Sequence, residues 1–302
     1  MKAIGVDIGG TKIAVAAVDG AGRIHARTAT PTEPGRGFAA GVERVGDLIA
    51  ATLARAGWAA GDLRGVGVGC TGPVDPRRGT VHNPFTLPTW DGGDLVTPLR
   101  DRFGVPVRLE NDADAAALGE AAFGAGRGAD PVVMLTFGTG VGFAAVVGGR
   151  VYRGAGGGHP EFGHVVVDPG GPPCYCGASG CLESLASGTA VGAAGRAAGF
   201  ADARAVFRAA AAGDAAAAAV VFRATTAAAA GAWAAAHAFL PERLVLGGGV
   251  MDDHFDLFAA AIRGRLAAAT AVPGGRVVVC AAALGADAGT VGAARLALGE
   301  AG

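Results

Sequence analysis

No run of basic residues occurs anywhere in this 302-residue chain, and its formal net charge at pH 7 is only -1. Without a positive face there is no electrostatic footprint for nucleic acid or for an anionic membrane surface, so neither is expected as a partner. The stretch from Met1 to Asp7 lacks the long apolar core of a signal peptide, and a cytoplasmic protein is expected. One uncharged run, 224–241, is long enough to raise the question of a membrane span. It is mostly alanine with Thr225, Thr226 and His237 in it, and reads as a buried core helix. Disorder is excluded as well: glycine (54) and proline (15) are abundant, but 51% of the residues are hydrophobic. Cysteine is scarce at five. Of these, Cys70 and Cys280 sit in apolar, strand-like surroundings and read as small core residues.

The other three cysteines fall within eight residues, Cys174-Tyr-Cys176-Gly-Ala-Ser-Gly-Cys181, with His164 ten residues before the first. Thiolate and imidazole donors in fours are what tetrahedral zinc takes, and a Cys3His set leaves no open position for water. His164, Cys174, Cys176 and Cys181 are therefore expected to form a structural zinc site, against the alternative of three reduced cysteines in a glycine-rich loop. A closed site does no chemistry itself. Its meaning lies in Glu161, three residues before one ligand, and Glu183, two after another, which the metal would hold in place.

The chain opens with Ile4-Gly-Val-Asp7-Ile-Gly9-Gly10-Thr11-Lys12, where apolar alternation on either side of a glycine turn predicts a β-hairpin. The P-loop spacing is missing. Even so, glycines at a turn let backbone N–H groups approach phosphate oxygens, Thr11 and Lys12 can add donors, and Asp7 can hold the hydration shell of Mg2+. An ordinary tight turn is the competing reading. A second copy of this design, strand, then Gly138-Thr139-Gly140, then strand, appears in 132–147. Its separation from the first is too large for stacked repeats and implies two similar α/β halves.

Between the hairpins, Val42, Val45, Leu48, Ile49 and Leu53 have helical spacing and predict a helix over Phe38–Ala56. Residues 65–73 read as a buried strand ending in a turn, and the proline-rich stretch 75–90 as an irregular loop of the kind that lines sites. A strand then runs into an alanine-rich helix at Glu110-Asn111-Asp112-Ala-Asp114. A carboxylate at such a junction is held rigidly, and the helix N-terminus is expected to keep it ionised and ready to accept a proton. Asp112 is thus a candidate general base and Asn111 a candidate ligand residue beside it; alternatively Asp112 or Asp114 merely caps the helix. Further on, 185–238 is dominated by alanine, with helices expected to break at Gly213 and Gly231. A strand ending in Gly247-Gly248-Gly249 leaves a turn that would admit a flat adenine. A last strand at 277–280 and a helix from about Gly289 complete the chain.

Five of these motifs, in order, resemble the signatures of the ROK family (repressors, open reading frames, kinases): D-x-G-G-T-K, the second glycine hairpin, E-N-D-A-x-A-A-A-L-G-E, E-x-G-H with C-x-C-G-x-x-G-C-x-E, and the late triple glycine. The resemblance implies an α/β chain of the actin-like ATPase (ribonuclease H-like) fold, with two similar α/β domains flanking a cleft. The small domain would hold 1–112 plus the C-terminal helix 289–302, and the large domain 113–288 with the zinc loop. It implies transfer of the γ-phosphoryl group of Mg-ATP to a hexose hydroxyl. Asp112 would be the base, with Asn111, Glu161, His164 and Glu183 around the sugar. Asp7, Gly9, Gly10, Thr11, Lys12, Gly138, Thr139, Gly140, Gly248 and Gly249 would lie around the nucleotide. Relatives are usually homodimers or homotetramers.

The metal loop is similar to that of the family's glucokinases, so glucose phosphorylated at C6 is the expected reaction. His159-Pro160-Glu161 departs from the Gly-Glu usual there and is similar to the H-P-E of ROK fructokinases, which keeps fructose, mannose and N-acetylated hexosamines behind it. The repressors of the family carry a helix-turn-helix ahead of the sugar fold. Here six residues precede Asp7, with no basic helix, so direct DNA binding is not expected. A sugar-binding module without catalysis is set against the intact Asp7, Asp112 and glycine turns. ADP and polyphosphate are open as alternative phosphoryl donors.

Overall fold

The computed structural model describes residues 1–270 and 276–299. By compactness the chain divides into two units. The first holds 1–128, 146–159 and the stretch from Ala286; the second holds 129–145 and 160–285. The border expected from the sequence lies at 112/113. In the structure 113–128 and 146–159 go with the first unit, because the helix after Asn111 packs on the C-terminal helix and the short strand at Arg150 packs on it in turn.

The first sheet has the order β3-β2-β1-β4-β7. It is built from β1 (Lys2–Ile8), β2 (Lys12–Asp19), β3 (Ile24–Pro31), β4 (Val66–Cys70) and β7 (Val107–Asn111). The expected hairpin is β1 and β2, paired antiparallel from Lys2↔Asp19 to Ile8↔Ile13. β1, β4 and β7 run parallel, with Asp7 opposite Gly69 and Gly69 opposite Glu110. β5 (Val74–Asp75) and β6 (Thr80–Val81) form a separate small ribbon. On the sheet lie α1 (Phe38–Ala56), with the bounds its apolar spacing predicts, and α2 (Val96–Phe103), while α3 (Asp112–Phe123) follows β7 directly. The apolar residues of β1, β2, β4 and α1 form one core with Trp90 and Leu99.

The last helix, α9 (Ala288–Leu298), lies on β1, β4 and α3. Its approach is close enough that backbone takes the place of side chains. A Cβ on Gly5 would fall 1.8 Å from the Thr290 carbonyl oxygen, and one on Gly67 1.7 Å from that of Ala293. Glycine in these strands, which by propensity weakens them, is what lets the helix sit down on the sheet.

The second sheet repeats the pattern as β10-β9-β8-β11-β12. It is formed by β8 (Val132–Phe137), β9 (Val141–Val147), β10 (Arg150–Val151), β11 (Arg243–Gly247) and β12 (Val278–Ala281), with β8, β11 and β12 parallel. Its helices are α4 (Leu182–Ala186), α5 (Gly188–Ala197), α6 (Ala203–Ala211), α7 (Ala215–Phe239) and α8 (Gly249–Ala267). The chain turns at Gly213, with φ 92°, but the break expected at Gly231 does not occur. α7 runs through it because the bare Cα faces the Leu182 side chain, where a Cβ would meet Cδ2 at 2.6 Å. That glycine makes room for packing, and its helix-propensity cost of about 1 kcal/mol is outweighed. α7 is long and apolar enough to pass the length test for a membrane span; its inner face, including Val221, Ala228, Ala232 and Ala235, is built into the core of the second unit.

Candidate functional site

Parallel strands end together, and in open α/β sheets ligands gather at their carboxyl ends. In the first unit those ends carry Asp7 on β1, Cys70 on β4, and Asn111 running into Asp112 from β7. Burial pushes the Asp7 carboxyl up to about 6, and the nearby Asp112 carboxylate adds to it while Lys12 opposes. Asp112 is pushed up from its ordinary value too, first by burial; a bond from the Ala113 N–H and the neighbouring His159 only partly offset this. The start of α3 thus does not hold this carboxyl below its ordinary value: burial moves it the other way. The thiol of Cys70, buried between the two acids, is likewise driven up.

The cap is a separate residue. Asn111 Oδ1 accepts from the Ala113 and Asp114 N–H groups at 2.8 and 3.3 Å. Neither aspartate is needed to close the helix, which leaves Asp112 for other work. The same bonds occupy the oxygen of Asn111, so only its amide nitrogen remains to meet a ligand.

At the glycine turn between β1 and β2, the Gly9 N–H donates to the Lys12 carbonyl at 2.9 Å, leaving Thr11 and Lys12 exposed. Asp7 faces the start of α9 so closely that a Cβ on Gly289 would lie 2.6 Å from its carboxyl carbon. The proline-rich loop is pinned by buried Asn83, whose Oδ1 accepts from the Phe85 and Thr86 N–H groups and whose amide donates to the Thr71 carbonyl. Thr86 thereby lies against Gly10. Sequence reading placed the loop but had no signal for Asn83.

The raised Asp7 carboxyl gives a testable stability effect. Its folded-state pKa lies above the unfolded value of 3.8, so the native state binds the extra proton and loses stability as pH rises from about 4 to about 6. At about 1.4 kcal/mol per pH unit the penalty above pH 6 is up to about 3 kcal/mol, less what solvent screening removes. Asp7→Asn is expected to raise Tm by several degrees at pH 7.5 without Mg2+ and to leave it unchanged near pH 4, as read by calorimetry. A variant that melts lower at pH 7.5 would contradict this.

In the second unit, His164 ends a 3-10 turn (Phe162–His164), and the three thiols follow in a loop held by turns and isolated bridges, Val166↔Cys181 and Pro173↔Ser179. One donor atom from each of His164, Cys174, Cys176 and Cys181 falls within 4.8 Å of all the others. Tetrahedral zinc with Zn–S near 2.3 Å needs donors about 3.8 Å apart, so the set fits that ion. His164 faces the cluster with Nδ1, 3.5 Å from Cys174 Sγ, and its ring stands edge-on to Tyr175.

Glu183, in the first turn of α4, reaches from the metal loop to the second glycine turn, its Oε2 accepting from the Val141 N–H at 2.9 Å. A Cβ on Gly140 would collide with that oxygen at 2.4 Å, which is why the turn carries glycine there. One carboxylate oxygen is thus committed to backbone. Glu161 stands exposed just ahead of the 3-10 turn.

Gly138 and Thr139, after β8, and Gly249, after β11, border a cavity of about 710 Å3 together with Arg196, Arg204, Phe207, Asp253 and His254. Gly248 supplies the turn into α8, with φ 88° and no room for a Cβ against the Phe137 backbone. Phe207 and His254 stack, centroids 3.8 Å apart. The glycines were legible in sequence; the arginines and the stacked pair were not, since they come from helices whose sequences carry no motif.

The ROK family matches residues 3–300. The chain belongs to the ROK family. A ROK hexokinase structure from Thermus thermophilus is 38% identical, covers 97% of both chains and has a TM-score of 0.85. A ROK family glucokinase from Streptomyces griseus, solved in complex with glucose and AMPPNP, is 35% identical, covers 98% of this chain and 99% of that one, with a TM-score of 0.77. The glucokinase of Thermotoga maritima is 40% identical over 191 residues, 63% of this chain and 59% of the relative, so the match spans under two thirds of that relative's length. The fold is the actin-like ATPase fold of these ROK kinases.

Proposed function

We propose that this ROK protein is an ATP-dependent hexose kinase that phosphorylates glucose at its C6 hydroxyl. The observation that carries the reading is the separation of cap from base at the start of α3: Asn111 satisfies the helix, and Asp112 stands free of that duty with its carboxyl pushed up by burial. A carboxylate that is not spent on closing the helix is available to accept the proton of a bound hydroxyl. Phosphoryl transfer asks for little more than that base, in-line positioning and neutralisation of charge.

In this reading Asp112 takes the proton of the sugar hydroxyl. Asn111, Glu161, His164 and Glu183 bind the remaining hydroxyls. The turn of Gly9, Gly10, Thr11 and Lys12 donates to the phosphates, and Asp7 holds water of the Mg2+ that travels with ATP. Gly138, Thr139, Gly140, Gly248 and Gly249, with the cavity beside Phe207 and His254, take the rest of the nucleotide. Zinc on His164, Cys174, Cys176 and Cys181 would supply a rigid frame and no chemistry. A cytoplasmic homodimer or homotetramer is part of the same proposal, checked by light scattering. The likeness to hexokinase and glucokinase relatives over nearly whole chains supports the reading.

Glucose is favoured over fructose by the metal loop, whereas His159-Pro160-Glu161 favours fructose. A site built around one set of hydroxyls can reject a sugar lacking one by roughly 10^4-fold, so kcat/KM for glucose, fructose, mannose and N-acetylated hexosamines with Mg-ATP should differ sharply. Glucose is expected to lead. A fructose value above it would overturn the substrate assignment, and no turnover of any hexose with ATP, ADP or polyphosphate would make the protein a sugar-binding regulator.

A further inference from the structure

Behind the candidate base lies a charged cluster that the site read from the sequence does not include. Asp114, two residues after Asp112 in the first turn of α3, is wholly buried. Its Oδ2 accepts from His159 Nδ1 at 2.7 Å and is also paired with Arg153. Arg153 pairs in turn with Glu110 at the end of β7. The side chains of Arg153 and His159 are themselves only 20% and 17% exposed.

A carboxylate is not sealed away in this manner to cap a helix, since Asn111 already does so, and a buried ion pair is no gain over apolar packing. What such a network does provide is a fixed geometry. Arg153 presents a planar fork that ties β7 to α3, and the carboxylate on Nδ1 sets the ring's tautomer and orientation. The cluster contains two carboxylates and one permanent cation, so an imidazolium at His159 would balance it. The groups around Asp112 are Asp7 from β1, the Cys70 thiol from β4, Asp114 from its own helix and His159 from the loop after β10. His159 is the one basic side chain among those neighbours.

We propose that His159, clamped by Asp114, is a positioning residue for Asp112: it fixes the first turn of α3 and places a compensating charge beside the base. The proposal rests on the hexose kinase reading and deepens it. Asp112 does the chemistry, and the Asp114–Arg153–Glu110 chain keeps the imidazole where it acts.

The test is His159→Gln in the full-length, metal-replete protein, with kcat, both KM values and the pH profile of kcat measured. We expect kcat to fall about 10- to 100-fold, the cost of a misplaced group, with the KM for ATP unchanged. The acid limb should move to higher pH by about one unit, as follows loss of a neighbouring opposite charge. Imidazole added to His159→Ala should restore part of the rate. Should the Gln variant fail to fold, His159→Asn, whose amide can still donate to Asp114, is read in the same way. Wild-type kcat and an unmoved acid limb would overturn the proposal, as would a loss of rate that tracks a lower Tm with no shift and no rescue. If the wild type phosphorylates no hexose, the kinase reading fails and this inference with it; an active wild type with an unaffected variant sinks the inference alone.

Discussion

Asp112→Asn is expected to lower kcat for hexose phosphorylation by roughly 10^2- to 10^4-fold, the usual worth of general-base catalysis, while folding and sugar affinity survive. The structure gives the reason for expecting so clean a separation. Asn111 holds the helix terminus through bonds to the Ala113 and Asp114 N–H groups, and an asparagine at 112 can still accept from the Ala113 N–H that Asp112 now engages at 2.8 Å. Removing the charge also relieves the repulsion with Asp7, which contributes to that residue's raised pKa, so thermal stability at neutral pH should hold or rise. Steady-state kinetics beside a melting curve decides the point. Retention of wild-type kcat would reduce Asp112 to a structural residue, and a collapse in Tm would mean that the helix start depends on it after all.

Loss of one thiolate is expected to reach well beyond the metal loop. Apart from 3-10 turns and isolated bridges, the stretch between His164 and Cys181 has no regular secondary structure to hold it, and structural zinc sites contribute on the order of 10 kcal/mol at neutral pH in small peptides. Cys176 is the informative position because it is exposed, whereas Cys181 is buried; Cys176→Ala removes a ligand with little loss of packing. The protein should carry about one zinc per chain by elemental analysis and the variant should carry none, melt at lower temperature, and show a raised sugar KM or no activity. In the proposed reading the effect on the sugar KM runs through Glu183, two residues past Cys181, whose hold on the Val141 N–H depends on the loop's position. A pure, fully active protein without zinc would sink the idea.

The motifs were legible because each depends on residues close together in the chain. The D-x-G-G-T-K turn, the glycine hairpin at 138–140, the Asn111–Asp112 junction and the Cys3His set are local chemistry, and α1 was readable from apolar spacing alone. The repeat of one hairpin design implied two similar α/β halves, and the two sheets indeed run in matching strand orders. Sequence by itself therefore determined the family, the fold and the main candidate residues.

Tertiary structure decided what those residues are free to do. Asn111 rather than an aspartate caps α3, because cap geometry depends on backbone angles that composition does not reveal. Burial pushes the Asp112 carboxyl up, because desolvation is set by everything packed around a group and not by its neighbours in the chain. Gly231 continues a helix that its identity would have broken, because Leu182 needs the space. The Asp114–Arg153–His159 cluster joins residues up to 45 positions apart; no spacing rule marks it, since long-range ion pairs are specified by the meeting of elements and by nothing local to either partner.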